Sequence, residues 1–260
     1  MSEKIFASAR VVQNLQIAPE IFSMVLHAPE IAATARPGQF VMVYLERGDL
    51  LLPRPISICD ADAGAGTVEI VYQVVGKGTA ALAQITAGHV NILGAQGNGF
   101  DTEGMSPGTV AIVGGGIGTP PLLFLAKKLA EAGISADVFL GFRDAPILVE
   151  RFREVVEPLG GKVRVASESG SHGIRGYVTE LFTINAQTEN YTKVFACGPA
   201  PMLRALAEIS RAESIPCQVS VEERMACGLG TCVGCVVQVG GNYVRVCTEG
   251  PVFDALDLYG

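Results

Sequence analysis

The sequence is short of histidine and of charge. Its 260 residues hold three histidines, His27, His89 and His172, and only 17% are Asp, Glu, Lys or Arg. No long run of like charge occurs and the net charge is −7, so the basic face a nucleic-acid binder needs is missing. The opening MSEKIFASARVVQ has no apolar h-region, so no secretory signal is expected and the cytoplasm is the expected location. The longest uncharged stretch, residues 104–126, is broken by three consecutive glycines and by Pro120-Pro121. That pattern suits a strand, loop and helix rather than a membrane span. No simple repeat explains the 31 glycines, which points to tight turns or close backbone approach to a ligand. Because 49% of residues are hydrophobic, the chain can bury a real core, and disorder is excluded.

What is present is most pointed in the tail. Seven cysteines, an odd number without an export signal, indicate a reducing compartment rather than a disulfide framework. Four of them, Cys227, Cys232, Cys235 and Cys247, fall in the last 34 residues. The spacing C-x4-C-x2-C, then eleven residues and Cys247, matches the plant-type [2Fe-2S] pattern. Two irons need two thiolates each, and three ligands from one loop force tight wrapping, which Gly228, Gly230 and Gly234 allow. With no histidine nearby, a Rieske centre is excluded. A structural zinc site is the alternative, although zinc modules typically pair two C-x2-C knuckles and only Cys232 and Cys235 form one.

Along the chain, the first hundred residues read as β. Residues 40–45, 55–59 and 67–75 are short β-branched and aromatic runs separated by turn clusters, which predicts a small antiparallel barrel. One helical run follows Thr79, with Thr79 as its expected N-cap. From Thr109 the order is strand, glycine loop, helix, strand 136–142, helix about 147–159, strand 162–167, and a strand at 193–198 leading into a helix near 201–212. This alternation predicts βαβ units and a parallel sheet. Cys59 and Cys217 read as core residues. The expected organisation is multidomain α/β plus all-β: a barrel over 1–101, an α/β domain over 102–214 and a small cysteine module over 215–260.

Two loops in the α/β region suit phosphate. Residues 113–123, VGGGIGTPPLL, follow a strand and open a helix that Thr119 would cap and Pro120 would start, so backbone N–H groups face the loop. It departs from G-x-G-x-x-G, and a tight turn without ligand is the alternative reading. Residues 195–203, FACGPAPML, send a second strand into a helix through another glycine loop. Together the two would flank a crevice at the strand ends. In the barrel, Arg54 offers a permanently charged fork, with Ser57 expected on the same strand face. GKGT, residues 76–79, brings two glycines and a helix start. A solvated strand end and an ordinary connector are the plain alternatives for these two.

RPIS, GKGT, GGGIGTPPL and CGPAPM, in this order and spacing, resemble the ferredoxin–NAD(P)H reductase superfamily. The resemblance implies a flavin-binding barrel followed by a nicotinamide-nucleotide domain. Arg54 would bind the flavin diphosphate and Ser57 the isoalloxazine, with Pro55 and Ile56 between them. The backbone of Val71, Tyr72 and Gln73 would run beside the flavin, and Gly78 and Thr79 would take its pyrophosphate. Gly115, Gly116, Gly118 and Thr119, with Cys197, Gly198 and Pro199, would line the nucleotide site. Many members carry Tyr where this chain has Ile56, so the usual ring stack is in question. Arg143 and Asp144 pull opposite ways on a ribose 2′-phosphate, and NAD(H) is implied by resemblance only.

The tail, EERMACGLGTCVGC with the later CTEGPVF, resembles the electron-transfer subunits of type B dihydroorotate dehydrogenases. That implies FAD, a [2Fe-2S] cluster ligated by Cys227, Cys232, Cys235 and Cys247, and NAD(H). It also implies an FMN-containing dihydroorotate dehydrogenase catalytic subunit as partner, two copies of each, in pyrimidine biosynthesis. Electrons would pass from the partner's FMN through the cluster and FAD to NAD+. Reductase subunits of ferredoxin–NADP, sulfhydrogenase or glutamate-synthase-like systems share the layout, and a non-catalytic zinc-stabilised nucleotide binder is an alternative of another class.

Overall fold

The computed structural model describes residues 4–46, 48–105 and 108–260. Six strands, β1 (Ile5–Ala18), β2 (Ile21–His27), β3 (Phe40–Tyr44), β4 (Arg54–Asp62), β5 (Thr67–Gln73) and β6 (His89–Gln96), close into a barrel. Their order is β1-β2-β5-β4-β3-β6, antiparallel throughout. Met24, Leu26, Val41, Met42, Val43, Ile58, Ile70 and Ile92 on these strands are fully buried. Two short helices interrupt the strands, α1 (Pro29–Ala32) and α2 (Lys77–Ala83).

The α/β part contains β7 (Thr109–Gly115), α3 (Pro120–Glu131), β8 (Ala136–Phe142), α4 (Val149–Val156), β9 (Val163–Ser167), β10 (Ile174–Arg175) and α5 (Val178–Ala186). It continues through β11 (Tyr191–Cys197), α6 (Ala200–Ala212) and β12 (Cys217–Ser220). After a two-stranded ribbon, β13 (Val236–Val239) and β14 (Asn242–Arg245), the chain ends in β15 (Val252–Asp254) and α7 (Ala255–Tyr259). The seven-stranded sheet runs β10-β9-β8-β7-β11-β12-β15 and is parallel except for β15. The chain steps outward from β7 in one direction, then returns to the other side with β11. The switch in strand order therefore falls between β7 and β11, the place where such sheets form a ligand crevice. No helix among the described residues is long and apolar enough to cross a membrane.

The protein packs as two compact units. One comprises Met1–Gly99, Glu222–Val237 and Val244–Pro251, the other Phe100–Val221, Gln238–Tyr243 and Val252–Gly260. The tail read as a separate module from residue 215 onward is thus shared between them. Cys217 and Val219 are buried in the core of the α/β unit, and Ala255 at the start of α7 joins them. So short a tail cannot bury a core of its own, and its apolar residues find cover on the larger layers.

Local differences from the sequence reading are instructive. α2 starts at Lys77, not after Thr79. Thr79 sits in the first turn, and its hydroxyl accepts the backbone N–H groups of Val75 (2.9 Å) and Gly76 (3.3 Å). Thr119 does not cap α3 with its side chain, because it is already helical, following a 3-10 turn over Gly116–Gly118. Arg54 and Ser57 lie on opposite strand faces, since three positions separate them and side chains alternate. Arg54 shares the parity of buried Ile56 and Ile58, whereas Ser57 goes with half-buried Pro55.

Candidate cofactor and metal sites

In the barrel unit, β4 and β5 pair only from Ile58↔Ile70 toward Asp62↔Thr67. Beyond that point they part, so the backbone of Val71–Gln73 has no β4 partner and Arg54–Ser57 has none on β5. A planar ligand with polar edges fits such an opening, because both strands offer unpaired N–H and C=O groups. Val71 and Tyr72 are buried, leaving their main chain as the surface they can present, while Gln73 is exposed. Ile56 is likewise buried, so its side chain does not replace the aromatic stack. Next to the opening, Leu50, Arg54, Val75 and the GKGT segment line a cleft of about 430 Å³.

Arg54 is held against α2 by the absence of a side chain at Gly78. A Cβ there would lie 1.9 Å from Nε of Arg54 and 2.3 Å from Cζ. The guanidinium also donates to the carbonyl of Leu52. A cation thus sits beside a helix start, the combination that suits a phosphate. α2 is anchored at its other end. Asn14 donates to the carbonyls of Leu82 and Ile85, both at 3.0 Å, and accepts the Tyr72 hydroxyl at 3.0 Å. Burial pushes the Tyr72 phenol up to about 12, against the opposing effect of its bond with Asn14. The sequence reading gave Tyr72 a place beside the flavin but missed its hydroxyl's work on α2.

The cysteine segment belongs to the same unit. Gly228 and Gly230 take left-handed φ values of 65° and 81°, and Val233 one of 49°. For a β-branched residue this is a strained conformation, held where the chain must turn between Cys232 and Cys235. The thiols come in two pairs. Cys227 Sγ accepts the N–H groups of Leu229 (3.3 Å) and Cys232 (3.4 Å), and Cys235 hydrogen-bonds Cys247 side chain to side chain. Burial pushes the Cys227 thiol up, but hydrogen bonds from Thr231, Leu229 and Cys232 outweigh it and bring it down to about 5. That favours the thiolate, the form that binds metal. Cys247 is pushed up to about 11 by burial, then by Cys235 beside it.

No group of three or more His, Cys, Asp or Glu side chains stands in a metal-holding arrangement among the described residues. The left-handed turns and the N–H groups aimed at the Cys227 sulfur nevertheless suit a thiolate-ligated centre. The segment also rests directly on the barrel. A Cβ on Gly228 would fall 2.6 Å from Cγ of Met42, in β3. Met42 in turn faces Pro55 across the β3–β4 ladder. Asn98 binds the carbonyls of Gly250 (2.6 Å) and Glu249 (2.9 Å), fixing the far side of the loop. Glu222, Glu223 and Arg224, just ahead of it, are exposed.

In the α/β unit, the two glycine loops interlock at the ends of β7 and β11. A Cβ on Gly118 would meet the main chain of Cys197 and Gly198 at 2.6 Å. One on Gly115 would meet Met202 Sδ at 2.6 Å and Pro199 Cδ at 2.9 Å. Gly116 is left-handed, at φ 52°. Cys197 and Gly198 are half-buried and Pro199 is exposed. Thr119 is fully buried, and its hydroxyl has no partner among the described residues. The structure thus packs the two loops together at the topological switch, with Thr119 in the first turn rather than capping it through its side chain.

Comparison with known proteins gives this arrangement a family. Residues 222–259 match the family described as "Iron-sulfur cluster binding domain of dihydroorotate dehydrogenase B". Over 251 residues the chain is 43% identical to the dihydroorotate dehydrogenase B (NAD(+)), electron transfer subunit of Bacillus caldolyticus, covering 94% of this chain and 95% of the relative. The chain belongs to this family of electron transfer subunits. The Streptococcus mutans serotype c subunit is 40% identical over 253 residues, with 94% of each chain covered. The structure of an NADH-dependent reduced ferredoxin-NADP oxidoreductase, studied for flavin-based electron bifurcation, includes a similar chain. It matches with a TM-score of 0.85 at 29% identity, covering 97% of this chain and 90% of that one. A ferredoxin NADP+ reductase from Neisseria gonorrhoeae, with bound FAD and NADP, shares the fold at a TM-score of 0.69 and 16% identity, over 84% of this chain and 94% of that one. Membership in the dihydroorotate dehydrogenase B family bears out the resemblance read from RPIS, GKGT and the cysteine motif. It also makes the chain part of an oxidoreductase with a catalytic dihydroorotate dehydrogenase as its partner.

Proposed function

We propose that this chain carries electrons between an FMN-containing dihydroorotate dehydrogenase catalytic subunit and NAD+, two copies of each subunit assembling in the cytoplasm for pyrimidine biosynthesis. FAD is assigned to the barrel opening, with Arg54 and the backbone of Gly78 and Thr79 at its diphosphate. Pro55, Ile56, Ser57 and the main chain of Val71, Tyr72 and Gln73 lie along its ring. NAD(H) is assigned to Gly115, Gly116, Gly118, Thr119, Cys197, Gly198 and Pro199, and a [2Fe-2S] cluster to Cys227, Cys232, Cys235 and Cys247. These assignments follow a division of labour in which residues 1–101 serve the flavin, 102–214 the nucleotide and 215–260 the cluster. Nicotinamide exchanges electrons in pairs and a cluster exchanges them singly, and a bound flavin supplies the chemistry that reconciles the two.

The observation that carries this reading is the seating of Gly228 on Met42, opposite Pro55, within one compact unit. The cysteine loop is thereby held against β3 and, through the Met42–Pro55 pair, beside β4, the strand that carries the flavin motif, which supports placing the two centres as neighbours. The chain's own part is to position both centres, to keep Cys227 as a thiolate and to neutralise the diphosphate with Arg54. The test is anaerobic purification with the catalytic partner, followed by iron, acid-labile sulfide and flavin analysis. In Cys232→Ser the iron should be lost together with dihydroorotate-driven NAD+ reduction, while FAD and NADH-driven dye reduction remain. Zinc in place of iron, or unimpaired NAD+ reduction in the variant, overturns the assignment.

A further inference from the structure

Cys247 is the ligand set apart in sequence, and the residues two before and two after it are of opposite charge. Arg245 donates to the carboxylate of Glu249 through its backbone N–H (2.7 Å), Nε (3.1 Å) and Nη2. Thr248 Oγ1 donates to the same carboxylate at 2.8 Å. The main chain closes in the same sense, with the N–H of Glu249 on the carbonyl of Arg245 at 2.8 Å. Residues 245–249 therefore form a locked turn that carries Cys247 near its middle.

The remaining arm of Arg245, Nη1, donates to the carbonyl of Gly230 at 3.1 Å, inside the loop that bears the other three cysteines. The N–H of Gly230 hydrogen-bonds the Cys247 thiol. Val246 N–H reaches the Cys235 carbonyl at 3.0 Å. One guanidinium thus joins both ligand-bearing segments, and the Glu249 carboxylate balances its charge. An Arg fork is suited to this, since it bonds in several fixed directions at once.

We infer that Arg245 and Glu249 are positioning residues for the cluster, which lock Cys247 onto the 227–235 loop and set the reduction potential through their opposed charges. This rests on the assignment of a [2Fe-2S] centre to the four cysteines. Reduction adds one negative charge to the centre, so the Arg245 cation favours the reduced form and the Glu249 anion opposes it. Both side chains are partly open to solvent, at 41% and 37% exposure, so screening keeps each effect modest.

The experiment is an EPR-monitored redox titration of the intact complex at low ionic strength, for wild type, Glu249→Gln, Arg245→Gln and Arg245→Lys, with iron counted per FAD. Only molecules that hold the cluster give the signal, so partial cluster loss does not obscure the potential. Glu249→Gln should raise the reduced-to-oxidised ratio at a fixed potential roughly threefold, and Arg245→Gln should lower it by about the same factor. That is about 28 mV each way for a one-electron couple. Arg245→Lys should keep the wild-type ratio but release iron faster, because the fork to Gly230 is lost. Potentials that move the same way in Glu249→Gln and Arg245→Gln, or do not move, overturn the inference. Should neither of these variants retain iron, Arg245→Lys and Glu249→Asp decide: a labile cluster at the wild-type potential supports the inference, and a shifted potential refutes it. A wild type without iron and sulfide would sink the cluster assignment itself, a result distinct from all of these.

Discussion

The glycine-bearing starts of α2 in one compact unit and of α3 in the other are built on different principles. At α2 the glycine makes room for a side chain, since the Arg54 guanidinium occupies the space a Cβ on Gly78 would take. At α3 the glycines make room for main chain, since Gly118 lies against the backbone of Cys197 and Gly198. As the proposed FAD and NAD(H) sites, the first would meet an anion with a formal charge on a flexible stem, the second with main-chain dipoles and close fit. Affinity at the first should depend on electrostatics and salt, and at the second on shape. Under the proposed assignment, a tightly held diphosphate cofactor and a substrate that must leave after each turnover call for that difference.

Gly118→Ala tests the shape-dependent side and should have the larger effect. A methyl group 2.6 Å from backbone atoms on a neighbouring loop cannot be accommodated by a rotamer change. The loops must separate, at a cost of about 3 kcal/mol in stability. KM for NADH should rise at least about tenfold, while FAD content stays at the wild-type level. Denaturant unfolding together with steady-state dye reduction would measure both. If stability and KM are unchanged, the loops do not depend on their close packing.

Gly78→Ala tests the other side and should separate binding from stability. Its clash is with the end of a flexible side chain, which can swing away, and alanine in a helix gains up to about 1 kcal/mol over glycine. Stability should therefore stay within about 1 kcal/mol of wild type. FAD affinity should fall about tenfold, because Arg54 is displaced from the cleft. Flavin release on dilution at rising salt is the measurement. A variant that retains FAD as wild type does would show that Arg54 contributes little there.

Tyr72→Phe sharpens the account of how α2 is held. It leaves the Asn14 carbonyl oxygen buried without its donor, at a cost of about 1–2 kcal/mol near pH 8. The sign of the pH dependence follows from the raised phenol pKa. The fold favours the neutral form, so the Tyr72 contribution is complete below the ordinary value of 10.0 and is lost as the pH rises toward about 12. Wild type should thus lose its advantage over the variant across that window, as followed by urea unfolding at several alkaline pH values. The α/β unit has its own alkaline-sensitive groups, Tyr191 and Cys217, both raised first by burial, and these remain in the variant. A constant gap between wild type and Tyr72→Phe across the alkaline range would contradict the assignment.

The layers of the fold were legible because short β-branched runs and turn clusters alternate sharply, and residues 109–142 show strand, glycine loop, helix and strand almost to the residue. The gathering of Gly115–Gly118 with Cys197–Gly198 was legible from the order of strands and loops. α5 was not, because its start is hidden behind a Ser/Gly-rich loop and Tyr177 offers no capping oxygen. Glu180 supplies the bond instead, accepting the Tyr177 N–H at 3.1 Å. The roles of Thr79 and Thr119 were misread for one reason: a threonine ahead of an apolar helical run marks a helix start without fixing its position in the first turn. The Arg245–Glu249 pair left a signal that went unused, opposite charges placed symmetrically about the last cysteine.

Thr119 gives the smallest expected effect and the finest test of the all-backbone site. Its hydroxyl is buried without a hydrogen-bond partner among the described residues. A buried polar group in that state costs stability, and an apolar group of the same shape removes the cost. Thr119→Val should therefore be neutral or more stable by up to about 1 kcal/mol, where most buried substitutions lose. If the hydroxyl turns to the nucleotide when it binds, KM for NADH will rise in the variant while kcat and stability hold. If it serves only to fill space, all three will hold. A clear loss of stability would mean that the hydroxyl has a partner in the folded protein after all, and that the second helix start does not rely on main chain alone.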